Sequence, residues 1–153
     1  MNMRLELPLF KTIVANTPLI SIDLIILNSE GKALLGQRHN RPAQNQWFVP
    51  GGRIFKDESF ENAFKRISLD ELGKEVILSD SKFLGVFEHF YGDNFSGDGF
   101  STHYVVHGYR LDLEPDFLDL PKVQHNAYHW FDVETLLNST SVHQYTKNYF
   151  LSR

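Results

Sequence analysis

The feature that most restricts the fold is one amphipathic helical segment inside a series of strand-like segments. Ser59–Leu72 carries apolar side chains at helical spacing, and Gly73 follows, a residue type that commonly ends a helix in the left-handed conformation. Alternating apolar and polar residues on both sides of this helix predict strands. They lie at Leu19–Asn28, Lys32–Arg38, Trp47–Val49, Phe83–Tyr91, His103–Leu111 and Ala127–Phe131. Strands mixed with an inserted helix predict an α+β fold.

Turns and shorter helices complete the predicted architecture. Asn28-Ser29-Glu30-Gly31 is typical of a hairpin turn between the first two strands. Asp132 is a plausible N-cap, so we expect a helix over Val133–Leu137, with a further helix near Val142–Phe150. The loop Gly92–Gly99 is acidic and rich in glycine, which predicts either a flexible segment that is long enough to be functional or an ordinary surface loop.

Length and composition exclude several classes of protein. The chain has 153 residues, which fits a single domain over residues 1–153. A net charge of -4 and the lack of a lysine-rich tail disfavour nucleic acid as a partner. Cysteine is absent, which excludes disulfides and thiolate zinc sites and makes the cytoplasm the default location. No apolar run approaches the ~20 residues of a membrane span, and the first residues lack the layout of a secretion signal, so we expect no membrane partner.

One carboxylate lies on the apolar face of the predicted helix. Four side chains form a single apolar stripe on the helical wheel: Phe60, Ala63, Phe64 and Ile67. Glu71 continues this stripe four residues later, which turns its side chain toward the sheet. A charge in that position is unfavourable unless a bound cation, a buried arginine or protonation compensates it. A structural salt bridge, or exposure of Glu71 at a frayed helix end, is the alternative interpretation.

A glycine bend precedes this helix. The strand at Trp47–Val49 breaks into Pro50-Gly51-Gly52, where the missing side chains allow backbone carbonyl groups to approach a ligand closely. Carbonyl and carboxylate oxygens are the ligands that Mg²⁺ prefers. The bend and Glu71 are therefore consistent with a magnesium site.

The spacing of these residues resembles the motif of the Nudix hydrolases. That motif reads Gly, five residues, Glu, seven residues, then Arg-Glu-apolar-any-Glu-Glu-any-Gly-apolar. Five positions match it: Gly52, Glu58, Arg66, Glu71 and Gly73. Four positions depart from it: Ile67 and Asp70 replace two glutamates, and Ser68 and Lys74 replace two apolar residues. Residues i and i+4 share a helix face, so Ile67 removes half of the usual inward carboxylate pair and leaves fewer metal ligands.

One Nudix branch, the GDP-mannose mannosyl hydrolases, lacks the same glutamate, and this sequence resembles that branch from near its N-terminus to about Phe150. The resembling segments are Thr17–Asp23, Asn40–Gln44, Trp47–Arg53, His89–Tyr91, Asp93–Gly97, Thr102–Val106 and Gln124-His125. The resemblance implies a Nudix-type mixed β-sheet sandwiched between α-helices. It also implies a homodimer and one Mg²⁺ in each active site.

The resemblance further implies a role for individual residues. The Mg²⁺ ligands would be Gly51, Glu71 and Gln124, and the general base would be His125, although a lone loop histidine is more often simply solvated. The remaining residues would contact the substrate. Arg38, Arg53 and Tyr104 would contact the GDP leaving group, Asp23 and His89 would bond the mannosyl unit, Phe10 would stack on guanine, and Tyr128 would be a further substrate-binding residue.

The implied reaction is the hydrolysis of a nucleotide sugar. Water would attack the anomeric carbon of GDP-mannose with inversion, releasing GDP and the free sugar. The sequence does not separate GDP-mannose from GDP-glucose, because the orientation of one hydroxyl distinguishes them. Two alternatives remain open: cleavage at phosphorus in a nucleoside diphosphate sugar, and a non-catalytic module that binds nucleotide sugars.

Overall fold

The computed structural model describes residues 5–121 and 125–151, and the side chains of residues 125 and 126 lie outside that description. Its helices are α1 (Leu7–Asn16), α2 (Phe60–Leu72), α3 (Val133–Asn138) and α4 (Gln144–Asn148). Its strands are β1 (Leu19–Leu27), β2 (Ala33–Arg38), β3 (Trp47–Phe48), β4 (Gly51–Arg53), β5 (Lys82–Tyr91), β6 (Thr102–Asp112) and β7 (His125–Phe131). Short 3₁₀ turns occur at Leu78–Asp80 and Pro115–Phe117.

The strands of the described chain form one mixed sheet. Its central path runs β3-β2-β1-β6-β5, while β4 pairs with β1 and β7 pairs with β2. Strands β1 and β6 run parallel, whereas the other pairs are antiparallel. The parallel pair places the start of β1 beside the start of β6, with Leu19 opposite Tyr104 and Asp23 opposite Gly108. The predicted α+β class is confirmed.

Helices cover both faces of this sheet. Alternate residues of β1 point to opposite sides, so β1 contributes to a buried cluster on each face. Ile22, Leu24 and Ile26 pack with Phe64 and Ile67 of α2 in one buried cluster. The other cluster contains Ile25 of β1, Leu35 of β2, Leu136 of α3 and Val142 near α4. The sheet is therefore sandwiched between helices, as the sequence predicted.

Local signals explain why α2 begins and ends where it does. The Asn62 N–H donates to Oγ of Ser59 at 3.1 Å, which caps the first turn. Gly73 ends the helix with φ 72°. A Cβ at Gly73 would also collide with the carbonyl oxygen of Asp119, so both backbone conformation and space require glycine.

The predicted segments that the structure confirms differ from the observed ones by at most two residues at either end. The turn at residues 28–31 is confirmed, since Oδ1 of Asn28 accepts from the N–H groups of Glu30 and Lys32 and Gly31 has φ 76°. The predicted position of His125 was wrong. It was expected in the loop before the last strand, but β7 already begins at His125, opposite Arg38.

Two elements were not predicted. Helix α1 buries Val14 but exposes Leu7 and Leu9, so it lacks the buried apolar stripe that identifies α2. Strand β4 contains two glycines, which disfavour strands, and it forms because Gly51, Gly52 and Arg53 pair with β1. Neither element therefore carries a local pattern in the sequence.

The loop over residues 92–99 has a defined internal hydrogen-bond pattern, although composition predicted flexibility. Asn94 is fully buried, and its Nδ2 donates to the Phe100 carbonyl oxygen at 2.7 Å. Thr102 Oγ1 donates to the Asp93 carbonyl oxygen at 2.8 Å, and Arg41 forms an ion pair with Asp98 at 2.6 Å. The loop is thus tied to β6 and to the segment that follows β2.

None of the helices in the described part of the chain combines the length and the apolar character that crossing a membrane requires.

Candidate active site

A cavity of about 460 Å³ opens where β4 and the end of α2 meet the central strands. Seven of the side chains or backbone positions singled out from the sequence line it: Asp23, Arg38, Gly51, Arg53, Glu71, His89 and Tyr104. Six different elements contribute them, so only the folded sheet brings these residues together. The cavity is large enough for a small ligand.

Of the other residues predicted from the sequence, two do not line this cavity and two are not fully described by the structure. Phe10 belongs to α1 and contacts Arg53. Tyr128 lies on β7, packs against the core cluster under α2, and has a pKa raised to about 12, mainly by burial and further by the charge of Glu71. Gln124 lies outside the described residues. The backbone of His125 lies opposite Arg38, and its side chain is among those outside the description.

Glu71 is buried at the floor of the cavity, with 3% of its surface exposed. The Gly51 N–H donates to its Oε1 at 3.3 Å. The predicted inward orientation of this carboxylate is therefore correct, and the frayed-end interpretation is excluded. Its residue type stands out in a helix whose other inward side chains are mostly apolar.

Ile67 occupies the second inward position of the helix and is 1% exposed. A Cβ on Gly52 would lie 3.1 Å from Cγ1 of Ile67, so this side chain packs directly against the glycine bend. It belongs to the apolar cluster of the sheet. Along this face of α2, Glu71 is the carboxylate that reaches the cavity.

Gly51 tolerates no side chain. A Cβ there would collide with Oδ1 of Asp23 and would lie 2.6 Å from the Ile22 carbonyl oxygen. The Asp23 carboxyl group thus rests directly against the Gly51 backbone, because Gly51 and Asp23 are paired across β4 and β1. Gly51 and the carboxyl groups of Asp23 and Glu71 form one oxygen-rich corner of the cavity.

Glu58 and Arg66 form a structural ion pair beside the bend. Arg66 Nε donates to one carboxylate oxygen of Glu58 at 2.7 Å, and a terminal nitrogen donates to the other at 3.0 Å. The same nitrogen donates to the Arg53 carbonyl oxygen at 2.7 Å. The hydrogen bonds from Arg66 to Glu58 lower the pKa of Glu58. The hydrogen bond to the Arg53 carbonyl oxygen fixes the backbone that carries Arg53.

Two guanidinium groups line the cavity. Arg38 lies over the Phe48 ring, 5.4 Å from its centroid. Arg53 lies between two aromatic rings, 5.1 Å from the centroid of Phe10 and 4.8 Å from that of Phe55. The Phe10 centroid is also 5.1 Å from that of Phe95. Arginine over aromatic rings is held in place while its donors stay available to an anion.

Asp23 interrupts an otherwise apolar strand. Its pKa is raised to about 7, mainly by burial and to a smaller extent by the charge of Glu71, although a hydrogen bond from Tyr149 and the charge of Arg38 act in the opposite direction. The Tyr149 hydroxyl donates to Oδ2 of Asp23 at 2.7 Å. The resemblance to the GDP-mannose mannosyl hydrolases was the signal that singled out this residue.

His89 is 6% exposed and stacks on Tyr145, with ring centroids 4.3 Å apart and planes within 4°. Burial lowers the pKa of His89 to about 4, and nearby His143 contributes to the same shift. The imidazole is therefore neutral at neutral pH and can both donate and accept a hydrogen bond.

Sequence reasoning missed one cavity residue on β5 and three residues that support the site from the C-terminal segment. Tyr91 lines the cavity, and Tyr145, Tyr149 and His143 contact cavity residues from the segment around α4. Their aromatic spacing carries no signal of its own, because aromatic side chains near a short helix usually pack in the core.

The donor set suits a hard cation with few protein ligands. Carboxylate oxygens of Glu71 and Asp23 and the Gly51 backbone meet at one corner, and oxygen ligands are what Mg²⁺ prefers. Among the described residues, no group of three or more His, Cys, Asp or Glu side chains is arranged to hold a metal. A cation here would therefore depend on backbone or amide oxygens as well.

Comparison with known proteins assigns the family. The model of the NUDIX domain matches residues 17–150, so the chain belongs to the Nudix family. Nudix hydrolases act on nucleotide-linked substrates and generally use divalent metals, and this protein is a Nudix hydrolase.

Individual relatives agree with this assignment. The chain is 42% identical over 124 residues to the low-salt glycan biosynthesis protein Agl8 of Haloferax volcanii, covering 80% of this chain and 76% of that protein. Among solved structures, a MutT protein from Methanosarcina mazei has a TM-score of 0.70 at 21% identity, covering 88% of this chain and 92% of that one. A MutT NUDIX hydrolase from Burkholderia pseudomallei has a TM-score of 0.68 at 23% identity, with 88% and 96% covered. The solved structures show that the fold is shared.

The variant His89→Asn should approach the wild type in stability as the pH falls. The pKa of His89 is about 4 in the folded protein and ~6.5 in an unfolded chain, so between these values the unfolded wild type binds more protons than the folded one. Wild-type stability is therefore lost as the pH falls through this window, and the variant lacks that loss.

Urea denaturation at about pH 7 and about pH 4.5, with a chelator present, measures this difference. The variant His129→Asn, which changes an exposed residue of β7, provides the comparison. A stability difference between His89→Asn and wild type that is the same at both pH values would contradict the assignment.

Proposed function

We propose that this protein is a Mg²⁺-dependent hydrolase of GDP-mannose, with GDP-glucose as a related substrate, that releases GDP and the free sugar. In this proposal water attacks the anomeric carbon with inversion, His125 accepts the proton from that water, and GDP leaves with the electron pair of the carbon–oxygen bond. Residues Arg38, Arg53 and Tyr104 bind the leaving group.

The observation that carries this proposal is the burial of Ile67 at the second inward position of α2. Its 1% exposure and its contact with Gly52 mean that this position presents an apolar side chain to the glycine bend and no carboxylate. Glu71 alone then offers a helix carboxylate to the cavity. Attack at phosphorus assisted by several cations would require more acidic ligands than this face supplies.

The residues at the glycine corner fit one Mg²⁺. Glu71 and Gly51 would hold it, and Gln124, next to His125 in the chain, would complete the protein ligands. When bound, the cation would offset the charge of the diphosphate as it departs. A single carboxylate ligand would leave much of the positive charge of the cation available for that purpose.

The leaving-group side of the site consists of cations held by aromatic rings. Arg38 and Arg53 line the same cavity, so their guanidinium donors can bond diphosphate oxygens in the bidentate manner that favours arginine. Tyr104 has a raised pKa because it is buried, which keeps its hydroxyl protonated and able to donate. Phe10, whose ring contacts Arg53, would stack on the guanine base.

The sugar side of the site consists of Asp23 and His89. Both line the cavity, and sugar hydroxyls are donors and acceptors that match a carboxyl group and a neutral imidazole. With GDP stabilised as an anion, the anomeric bond can loosen with oxocarbenium character, and one base is sufficient to activate water. Tyr128, on β7, would be a further substrate-binding residue.

His125 is the proposed base. Its backbone begins β7 opposite Arg38, so its strand enters the sheet next to a residue that lines the cavity. A histidine near its ordinary pKa of ~6.5 can accept a proton from water at neutral pH.

The relative from Haloferax volcanii supports a sugar-linked substrate, because it is named as a glycan biosynthesis protein. The proposal also includes a cytoplasmic homodimer built from single-domain subunits. Edge strand β5 exposes Phe83, Val86 and Phe90, and an exposed apolar edge supports association with another chain. Light scattering after gel filtration tests the assembly.

Hydrolysis of GDP-mannose in heavy-oxygen water decides which bond breaks. Incubation with Mg²⁺ should yield GDP and labelled mannose, because water attacks carbon in the proposed reaction. Mass spectrometry locates the label. Label in GMP or in mannose phosphate would assign attack to phosphorus, and tight binding of GDP-mannose without any product would assign a binding module.

The variant Glu71→Gln should weaken Mg²⁺ binding and lower kcat together, by about 10²-fold in kcat, as expected for loss of a preorganised charge. Isothermal titration with Mg²⁺ alone measures the first effect and GDP release the second. Asp70→Asn is the matched control, since Asp70 is adjacent on α2 but half-exposed and paired with Arg66. An unchanged Mg²⁺ affinity in Glu71→Gln would reject the ligand role.

The variant His125→Asn should lower kcat by roughly 10²–10⁴, the usual contribution of a general base. His129→Asn changes a histidine four residues later on the same strand and should retain activity. Steady-state assays of GDP release compare the two variants. A loss of less than threefold in His125→Asn would reject the role of His125 as the base.

A further inference from the structure

We infer that Tyr149 is a positioning residue for the sugar side of the site, because its hydroxyl holds the Asp23 carboxyl group in one orientation. The inference rests on the proposed function, in which Asp23 bonds the sugar. It adds a residue of the C-terminal segment that does not line the cavity itself and that acts through Asp23.

The geometry divides the two carboxyl oxygens of Asp23 between separate partners. Oδ2 accepts the Tyr149 hydroxyl hydrogen at 2.7 Å. Oδ1 lies against the Gly51 backbone, at the position where a Cβ on Gly51 would collide with it. Tyr149 therefore engages one oxygen and leaves the other at the corner that Gly51 and Glu71 share.

This division determines what Asp23 can recognise. In its ionised form Asp23 only accepts hydrogen bonds, so the oxygen left at the corner then selects a ligand hydroxyl that donates. Without Tyr149, the carboxyl group could rotate about its terminal torsion, which is broad in aspartate. A fixed acceptor binds a sugar hydroxyl at lower entropic cost than a mobile one.

The Tyr149 ring is held by contacts with Gly108 and Phe87. A Cβ on Gly108 would lie 3.0 Å from Cε1 of Tyr149 and 3.2 Å from Cε2 of Phe87, so both rings pack on bare backbone at Gly108. The Phe87 and Tyr149 rings meet edge to face, with centroids 4.7 Å apart. These contacts fix the direction in which the Tyr149 hydroxyl points.

The segment that carries Tyr149 is anchored next to the glycine bend. The Val49 N–H donates to Oγ1 of buried Thr146 at 3.2 Å, and the His143 N–H donates to the Trp47 carbonyl oxygen at 3.1 Å. The Tyr149 N–H donates to the Thr146 carbonyl oxygen at 3.2 Å. The orientation of Asp23 and the position of the bend thus depend on the same short segment.

The variant Tyr149→Phe tests the inference because it removes the hydroxyl and keeps the ring contacts with Phe87 and Gly108. We expect kcat/KM for GDP-mannose to fall about 10-fold, the effect of losing a hydrogen bond to a charged group. The inhibition constant of GDP should change less than twofold, because GDP lacks the sugar. Tyr109→Phe removes the hydroxyl of a tyrosine that packs on Phe64, on the other face of the sheet, and should change neither value.

A double-mutant cycle separates positioning from general structural support. In an Asp23→Asn background, Tyr149→Phe should cause little further loss, since coupled residues are not additive. Additive losses, or an equal loss of GDP inhibition in the single variant, would overturn the inference.

Crystal structures of wild type and Tyr149→Phe without substrate test the positional claim independently of the reaction. We expect the Asp23 carboxyl group to turn or to show several orientations in the variant, and an unchanged orientation would overturn the inference. Failure of the proposed function is a different result, because wild type would then release no GDP from GDP-mannose whatever the orientation of Asp23.

Discussion

The site depends on placing a buried carboxylate against a backbone that has no side chains. Glu71 is nearly inaccessible, yet the Gly51 N–H reaches it and the Asp23 carboxyl group lies against the same glycine. Concentrating acidic oxygens in this way is costly in a low-dielectric interior, and the raised pKa of Asp23 reflects that cost. The surrounding elements are arranged to support this corner, from the paired Glu58 and Arg66 on one side to α4 on the other.

A single replacement on the helix changes what such a corner can do. Ile67 fills the neighbouring inward position with apolar volume and joins the core under the sheet. The helix therefore gains packing and loses a ligand at the same turn. Arginines held over aromatic rings line the same cavity, as do Asp23 and His89, and in the proposed function these residues recognise the substrate. In the proposed function, the site relies less on acidic ligands for cations and more on groups that would bind a leaving group and a sugar.

Much of this arrangement could be predicted from local patterns. Ser59 and Gly73 bounded α2 to within one residue, and the position of Glu71 on the apolar stripe predicted its inward orientation. Other features depend on tertiary contacts. Strand β4 forms because Gly51 and Gly52 pair with β1, and Tyr149 meets Asp23 only in the tertiary fold. Helix α1 exposes Leu7 and Leu9, so its apolar residues do not mark a buried face. Periodicity reports which face of an element is buried, but it does not report which distant element buries it.

The hydrogen bond between Tyr149 and Asp23 joins residues that are 126 positions apart in the chain. Strands β1 and β6 beside it are likewise parallel neighbours from distant parts of the sequence. Contacts of such separation close large loops, and the entropy of closing those loops opposes their formation. The pocket therefore requires the completed sheet, and a ligand that occupies it should stabilise the native state as a whole.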